Sequence, residues 1–179
     1  MRIHAGKFKN HKIKRPNVET TKATSSMVRE AVFNMVNPSD KVVLDLFAGS
    51  GSYGITAFSL GASFINFVDN NKVAYQTIKE NINKLSISNN TLVSLSTYEK
   101  FLKINNTKFD LIFLDPPYNF NNYENLINEL KNHLNAAGSI VLELNFRTNI
   151  TLEAINLKVI KDKKYGIKRV IIFSNDLYL

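Results

Sequence analysis

The chain has 179 residues, 44% of them hydrophobic and 21% charged, the size and balance of a single soluble domain with room for a proper core. It has no cysteine, which excludes a disulfide framework, a thiolate nucleophile and a zinc–cysteine site, and its histidines (His4, His11, His133) are too scattered for a metal cluster. No apolar run approaches the roughly 20 residues that span a bilayer and the first residues show no secretory h-region, so the cytoplasm is the expected location.

The net charge of +8 is unevenly placed. Residues 1–30 hold eight Lys or Arg against two acids, and residues 158–169 hold six against Asp162 alone, whereas residues 31–157 have nine basic and eleven acidic residues. Clustering at the two ends favours an anionic polymer as partner, because phosphates reward grouped cations through counterion release.

In chain order, "MRIHAGKFKNHKIKRP" alternates short apolar and basic residues around Gly6, as a two-stranded ribbon or a flexible arm would, with too little apolar surface for its own core. "TSSMVREAVFNMV" reads as a helix capped by Thr24 or Ser25, with Val28, Ala31, Val32 and Met35 on one face. From Lys41 a strand–helix rhythm sets in. Strands are predicted at 42–47, 63–69, 91–95, 109–115 and 138–144, with helices after the first glycine loop, over 71–85 and over 123–134. "LKVIKD" and "KRVIIFS", turning at Tyr165-Gly166, look like an antiparallel hairpin. The expected fold is a doubly wound, mostly parallel α/β sheet of seven strands with helices on both faces.

"GSGSYG" at 49–54 matches G-x-G-x-x-G, and Asp69 follows 20 residues after Gly49, so a nicotinamide or flavin enzyme has to be considered. The strand ends speak against it. Asp45, Asp69 and Asp115 all fall where ligands bind in such sheets, and a pyrophosphate would meet like charge, at a cost of about 1 kcal/mol or more. A ligand with a sulfonium, an ammonium and a ribose but no phosphate suits three carboxylates. S-adenosylmethionine is such a ligand, its amino acid end by Asp45 and Gly49 and its ribose hydroxyls on Asp69.

The fourth strand runs into Asp115-Pro116-Pro117-Tyr118. The amino group of a nucleobase is a poor nucleophile because its lone pair is delocalised into the ring. Accepting both N–H hydrogens in fixed geometry leaves that lone pair facing a methyl donor. The Asp115 carboxylate and the Pro116 carbonyl are the two acceptors, two prolines stiffen the pair, and Tyr118 offers a ring on which a flipped base can stack. Methylation at pyrimidine C5, which usually needs a thiolate, is excluded.

Taken together, "MRIHAGKFKNHKI", "TKATSSMVREAVFN", "VLDLFAGSGSYGITAFSLGA", "FVDNN", "FDLIFLDPPY" and "KKYGIKRVIIF" resemble, over nearly the whole chain, the bacterial 16S ribosomal RNA guanine-N2 methyltransferases of the RsmD type. The resemblance implies a Rossmann-like class I methyltransferase domain over residues 23–179 and an RNA-gripping arm over residues 1–22. It implies that S-adenosylmethionine is held by Asp45, Phe47, Ala48, Gly49, Ser50, Gly51, Asp69, Asn70 and Thr97, the last standing where an Asp or Asn often meets the adenine. Catalysis falls to Asp115, Pro116, Pro117 and Tyr118. RNA contacts fall to Arg2, Lys7, Lys9, Lys12, Lys14, Arg15, Lys22 and Arg29, with 16S rRNA or the 30S subunit as partner and no metal. A DNA adenine or cytosine amino-methyltransferase, a protein-glutamine methyltransferase, a nicotinamide oxidoreductase and a non-catalytic RNA-binding module are the alternatives.

Overall fold

The computed structural model describes residues 1–17 and 26–175. Its centre is a seven-stranded sheet in the order β3-β2-β1-β4-β5-β7-β6. The strands are β1 (Val42–Leu46), β2 (Phe64–Asp69), β3 (Thr91–Leu95), β4 (Phe109–Leu114), β5 (Leu134–Asn145), β6 (Lys158–Tyr165) and β7 (Lys168–Ser174). The first five run parallel, and β7 lies antiparallel to both β5 and β6. Apolar runs such as "VVLDL" and "FDLIFL" become central strands because helices cover both of their faces.

The period-two alternation of strand side chains divides the core in two. Val43, Leu111, Phe113 and Val141 face α1 (Ser26–Phe33), α2 (Ser52–Ser59) and α3 (Lys72–Lys84). Leu44, Leu46, Ile112, Leu114 and Leu142 face α4 (Tyr98–Ile104) and α5 (Tyr123–Leu130). The chain turns to opposite sides of the sheet from β1 and β4, so a crevice opens above the carboxyl ends of these adjacent strands.

Four elements differ from the sequence expectation. Helix α4 was not foreseen, because its seven residues bury just Phe101 and Leu102 and show little periodicity. Strand β5 begins at Leu134 rather than 138, and α5 gives way to a single 3₁₀ turn over Lys131–His133. Helix α1 ends at Phe33 rather than at residue 36, and its expected caps, Thr24 and Ser25, lie outside the described residues.

The amino-terminal segment makes a minimal ribbon, with one antiparallel bridge between Arg2 and Lys12, and shares the domain's core through buried Ile3 and Ile13. Gly6 makes that docking possible. At φ +76° it lies so close to the end of α2 that an added Cβ would sit 1.9 Å from the Ser59 carbonyl oxygen. Lys7 N–H donates to that carbonyl (2.8 Å), and the Ser59 hydroxyl donates to the Ala5 carbonyl (2.6 Å).

Candidate active site

A cavity of about 580 Å³ occupies the crevice, within the roughly 300–1,000 Å³ usual for small-molecule sites. One wall is Phe47, Ala48, Gly49 and Ser50 with Asp69 and Asn70, the other is Asp115 through Tyr118, and Thr97, after β3 at the far side of β2, also lines the cavity. Most of the residues named for cofactor and catalysis therefore share one space. Asp45 and Gly51 do not line it.

The glycine loop is shaped by carboxylates acting on backbone. Asp45, on the α2 face of β1, is 3% exposed and accepts the Gly54 N–H at 2.8 Å, tying the first turn of α2 to the sheet. Gly54 permits that approach, since a Cβ there would meet the Phe67 ring at 2.4 Å. Burial pushes the Asp45 carboxyl well above the usual range, the Gly54 amide opposes this, and Asp115 and Asp69 add to it. The expectation that three strand-end acids point into one crevice is corrected at this position: the parity of β1 turns Asp45 inward.

Asp69 does reach the cavity, and both its oxygens hold backbone, accepting Gly49 N–H at 2.8 Å and Asn71 N–H at 2.9 Å. Each carboxylate oxygen has a second lone pair for a ligand hydroxyl. Burial raises its pKa, and the backbone amides of Asn71, Gly49 and Asn70 pull the other way. Buried Asn81 of α3 completes the loop: its amide donates to the Ser50 carbonyl (3.0 Å) and to the Lys14 carbonyl (3.1 Å) and accepts the Lys14 N–H (2.7 Å). One side chain thus joins the glycine loop to the amino-terminal arm. Thr97 acts as the N-cap of α4, accepting the Lys100 N–H at 3.3 Å.

Aromatic rings floor the space between the walls. Phe47, held at φ +64°, packs against Tyr98 (5.7 Å between centroids) and Phe120 (5.5 Å). The sequence pointed to Phe47 but not to the other two, although Tyr98 adjoins Thr97 and Phe120 lies two residues beyond Tyr118.

At the opposite wall, Asp115 is partly exposed and its Oδ1 lies 3.7 Å from Lys168 Nζ. Lys168 also pairs with Glu143 Oε1 at 2.7 Å, and the fully buried Glu143 accepts the Tyr53 hydroxyl at 2.7 Å. Burial alone would depress the Lys168 pKa, but Asp115 and Glu143 together hold it above its ordinary value. The Tyr118 ring is 48% exposed, with the same ammonium 5.2 Å from its centroid. In sequence Lys168 was one cation of a basic run, and nothing there marked it as inward-facing.

Of the cations named for RNA, Arg2, Lys7, Lys9, Lys12, Lys14 and Arg15 are exposed, and Arg15 borders the cavity with Pro16 and Asn17. Lys14 pairs with Glu80 at 2.6 Å, and Lys7 lies over the Phe58 ring at 4.0 Å. Lys22 lies outside the described residues. Arg29 is corrected: at 1% exposure on the inner face of α1, with burial lowering its pKa, it has no surface to offer a polyanion.

Comparison with known proteins agrees with this architecture. Residues 1–174 match the family model described as "Conserved hypothetical protein 95". The "Ribosomal RNA small subunit methyltransferase D" of Haemophilus influenzae is 32% identical over 98% of this chain and 94% of its own. Its namesake from Buchnera aphidicola is 34% identical over 73% of this chain and 69% of its own. A solved Escherichia coli structure, "Putative methyltransferase yhhF", superposes with a TM-score of 0.84 at 26% identity, covering 98% of both chains. The seven-stranded sheet, the cavity above β1 and β4 and a match across residues 1–174 lead to one conclusion: the chain belongs to the Conserved hypothetical protein 95 family, that of the RsmD methyltransferases.

Proposed function

We propose that this protein transfers a methyl group from S-adenosylmethionine to the exocyclic N2 amino group of a guanine in small-subunit ribosomal RNA. The observation that carries this is the shared cavity, with the glycine loop and Asp69 on one wall and Asp115-Pro116-Pro117-Tyr118 on the other. The residues present suit the cofactor. Acidic Asp69, Glu99 and Asp115 line a space that a sulfonium and an ammonium would favour, Asp69 keeps acceptor capacity for ribose hydroxyls, and Phe47, Tyr98 and Phe120 offer apolar area for a purine. When bound, S-adenosylmethionine supplies an electrophilic methyl group.

The chain's own groups do the aiming. The Asp115 carboxylate and the Pro116 carbonyl accept the two N–H hydrogens of the guanine amino group, so its lone pair faces the glycine-loop wall. Pro116 and Pro117 fix φ near −65° and keep the two acceptors in register. The exposed Tyr118 ring stacks on the base once it leaves its own helix or loop. After attack the nitrogen carries an extra bond and becomes acidic, and Asp115 or water takes the proton. Exposed cations of residues 2–15 engage phosphates of the same RNA, and the names carried by the relatives support ribosomal RNA as that partner.

The test is methyl transfer from labelled S-adenosylmethionine to 30S subunits, naked 16S rRNA, duplex DNA and protein, followed by nucleoside mass analysis. N2-methylguanosine in rRNA is the expected product. Label in N6-methyladenine or N4-methylcytosine of DNA would replace this reading with a DNA amino-methyltransferase, and label in glutamine with a protein methyltransferase.

A further inference from the structure

A buried carboxylate and ammonium seldom repay their desolvation in stability, so a pair of this kind at the edge of a cavity calls for a reason. Glu143 is fully buried in β5, and the parity that places Val141 on the α2 face places Glu143 there too, where the Tyr53 hydroxyl meets it. Tyr53 is itself fixed, its ring stacked on Phe113 at 4.8 Å. The antiparallel register sets Lys168 opposite Asn145, and the ammonium comes back to Glu143 at 2.7 Å and to Asp115 at 3.7 Å. A chain of contacts thus runs from the core through Tyr53, Glu143 and Lys168 to the carboxylate at the end of β4.

We propose that Lys168 is a positioning residue of methyl transfer, an ammonium that Glu143 and Tyr53 hold beside Asp115 to steady its carboxylate for the target amino group. The two distances define how it works. The shorter contact goes to Glu143, and 3.7 Å exceeds a hydrogen bond, so Lys168 steadies Asp115 without occupying it as a hydrogen-bond acceptor. Glu143 balances the ammonium, which leaves the local charge at Asp115 negative where the attacking nitrogen turns positive. The proposal rests on the amino-methylation reading of the same site.

Among the described residues, titratable groups that face Asp115 include Lys168 on β7, Glu143 on β5, Asp45 on β1, Tyr53 on α2, Tyr123 on α5 and Tyr118 in its own loop. Of these Lys168 alone is cationic, and it favours the carboxylate form. Removing it makes Asp115 easier to protonate, and since the carboxylate is the working form, the acid limb of the rate profile moves to higher pH.

The experiment is a pH profile of kcat for methyl transfer to the RNA that the wild type modifies, with S-adenosylmethionine affinity measured by calorimetry. Lys168→Gln, whose amide still donates to Glu143, is expected to lower kcat roughly ten- to hundredfold, to shift the acid limb upward and to leave cofactor affinity within about twofold. Lys168→Arg restores the limb. The double variant Lys168→Gln with Glu143→Gln leaves no buried charge unpaired. It shows a smaller shift of the same sign, because the group nearest Asp115 is the ammonium. An unmoved acid limb with wild-type kcat, in whichever of these variants folds, overturns the proposal. Failure of the wild type to methylate an amino group in RNA would instead overturn the reading beneath it.

Discussion

The two walls of the cavity use carboxylates in opposite ways. On the glycine-loop side, Asp45 and Asp69 accept backbone amides of Gly54, Gly49 and Asn71, so their first task is to hold the path of the chain. On the other side, Asp115 follows β4, is braced by a lysine side chain, and is partly exposed at the cavity. Backbone-held acids shape a site, whereas an acid that faces a cavity beside an ammonium is placed to meet a ligand. The same residue type at three neighbouring strand ends therefore has three settings: buried strut for Asp45, strut with spare acceptors for Asp69, and, in the function proposed above, instrument for Asp115.

The sharpest way to break this contrast is at Asp115. Asp115→Ala is expected to lower the rate of methyl transfer by about a hundredfold or more, because misplacement of a reacting group on the order of 1 Å has that effect. Folding and cofactor affinity stay close to wild type. Asp69→Ala should do the reverse: a weakening of S-adenosylmethionine binding by roughly 1.5–3 kcal/mol, the contribution of charge-assisted hydrogen bonds, with the rate largely recovered at saturation. Calorimetry showing unchanged affinity would return Asp69 to a purely structural part.

The arm supplies the next test. Replacing Lys7, Lys9, Lys12 and Lys14 by glutamine should flatten the salt dependence of RNA binding, each lost phosphate contact lowering the log–log slope by about 0.7–0.9. Lys14 already pairs with Glu80, but both side chains are more than half exposed, so the pair is weak and gives way readily to phosphate. Cofactor affinity should be unaltered, since the arm meets the glycine loop through the Lys14 backbone and Asn81. An unchanged slope would leave these cations with no role beyond solubility.

The smallest effect is expected at the buried strut. Burial raises the Asp45 pKa above its usual 3.8, so the folded state binds its proton more tightly than the unfolded state does. The stability this residue contributes is full below pH about 4 and is lost as pH climbs toward the folded-state pKa. Asp45→Asn keeps an acceptor for Gly54 N–H and removes the titration. Relative to the wild type, its stability in urea unfolding should improve from pH 4 to pH 8, with little change in cofactor binding. A stability difference that does not vary with pH would mean that the carboxyl is ordinary despite its burial.

Much of this was legible in the chain. The central strands announce themselves because burial on both faces demands uninterrupted apolar runs, and the glycine loop and Asp115-Pro116-Pro117-Tyr118 fall at their carboxyl ends. Side-chain direction was not legible. Asp45 reads as a ligand contact from its place at a strand end, but it shares the parity of Val43 and turns into the core. Arg29 reads as a surface cation from its charge, but it lies beside Val28 on the buried face of α1. Lys168 was hidden in a basic run, and its inward turn depends on pairing with Asn145, a register fixed by chain 23 residues away. Charge counts locate a basic segment; they do not say which of its members face water.

If Asp115 is the instrument and Asp69 the holder, one measurement separates them. Single-turnover methyl transfer to 30S subunits is followed for wild type, Asp115→Ala and Asp69→Ala over a range of S-adenosylmethionine concentrations. The expected result is a maximal rate for Asp115→Ala at least about a hundredfold below wild type with half-saturation unchanged, beside a near-normal maximal rate for Asp69→Ala with half-saturation shifted upward. Near-wild-type transfer by Asp115→Ala at saturating cofactor would contradict it, and would reduce Asp115-Pro116-Pro117-Tyr118 to a turn that ends a strand.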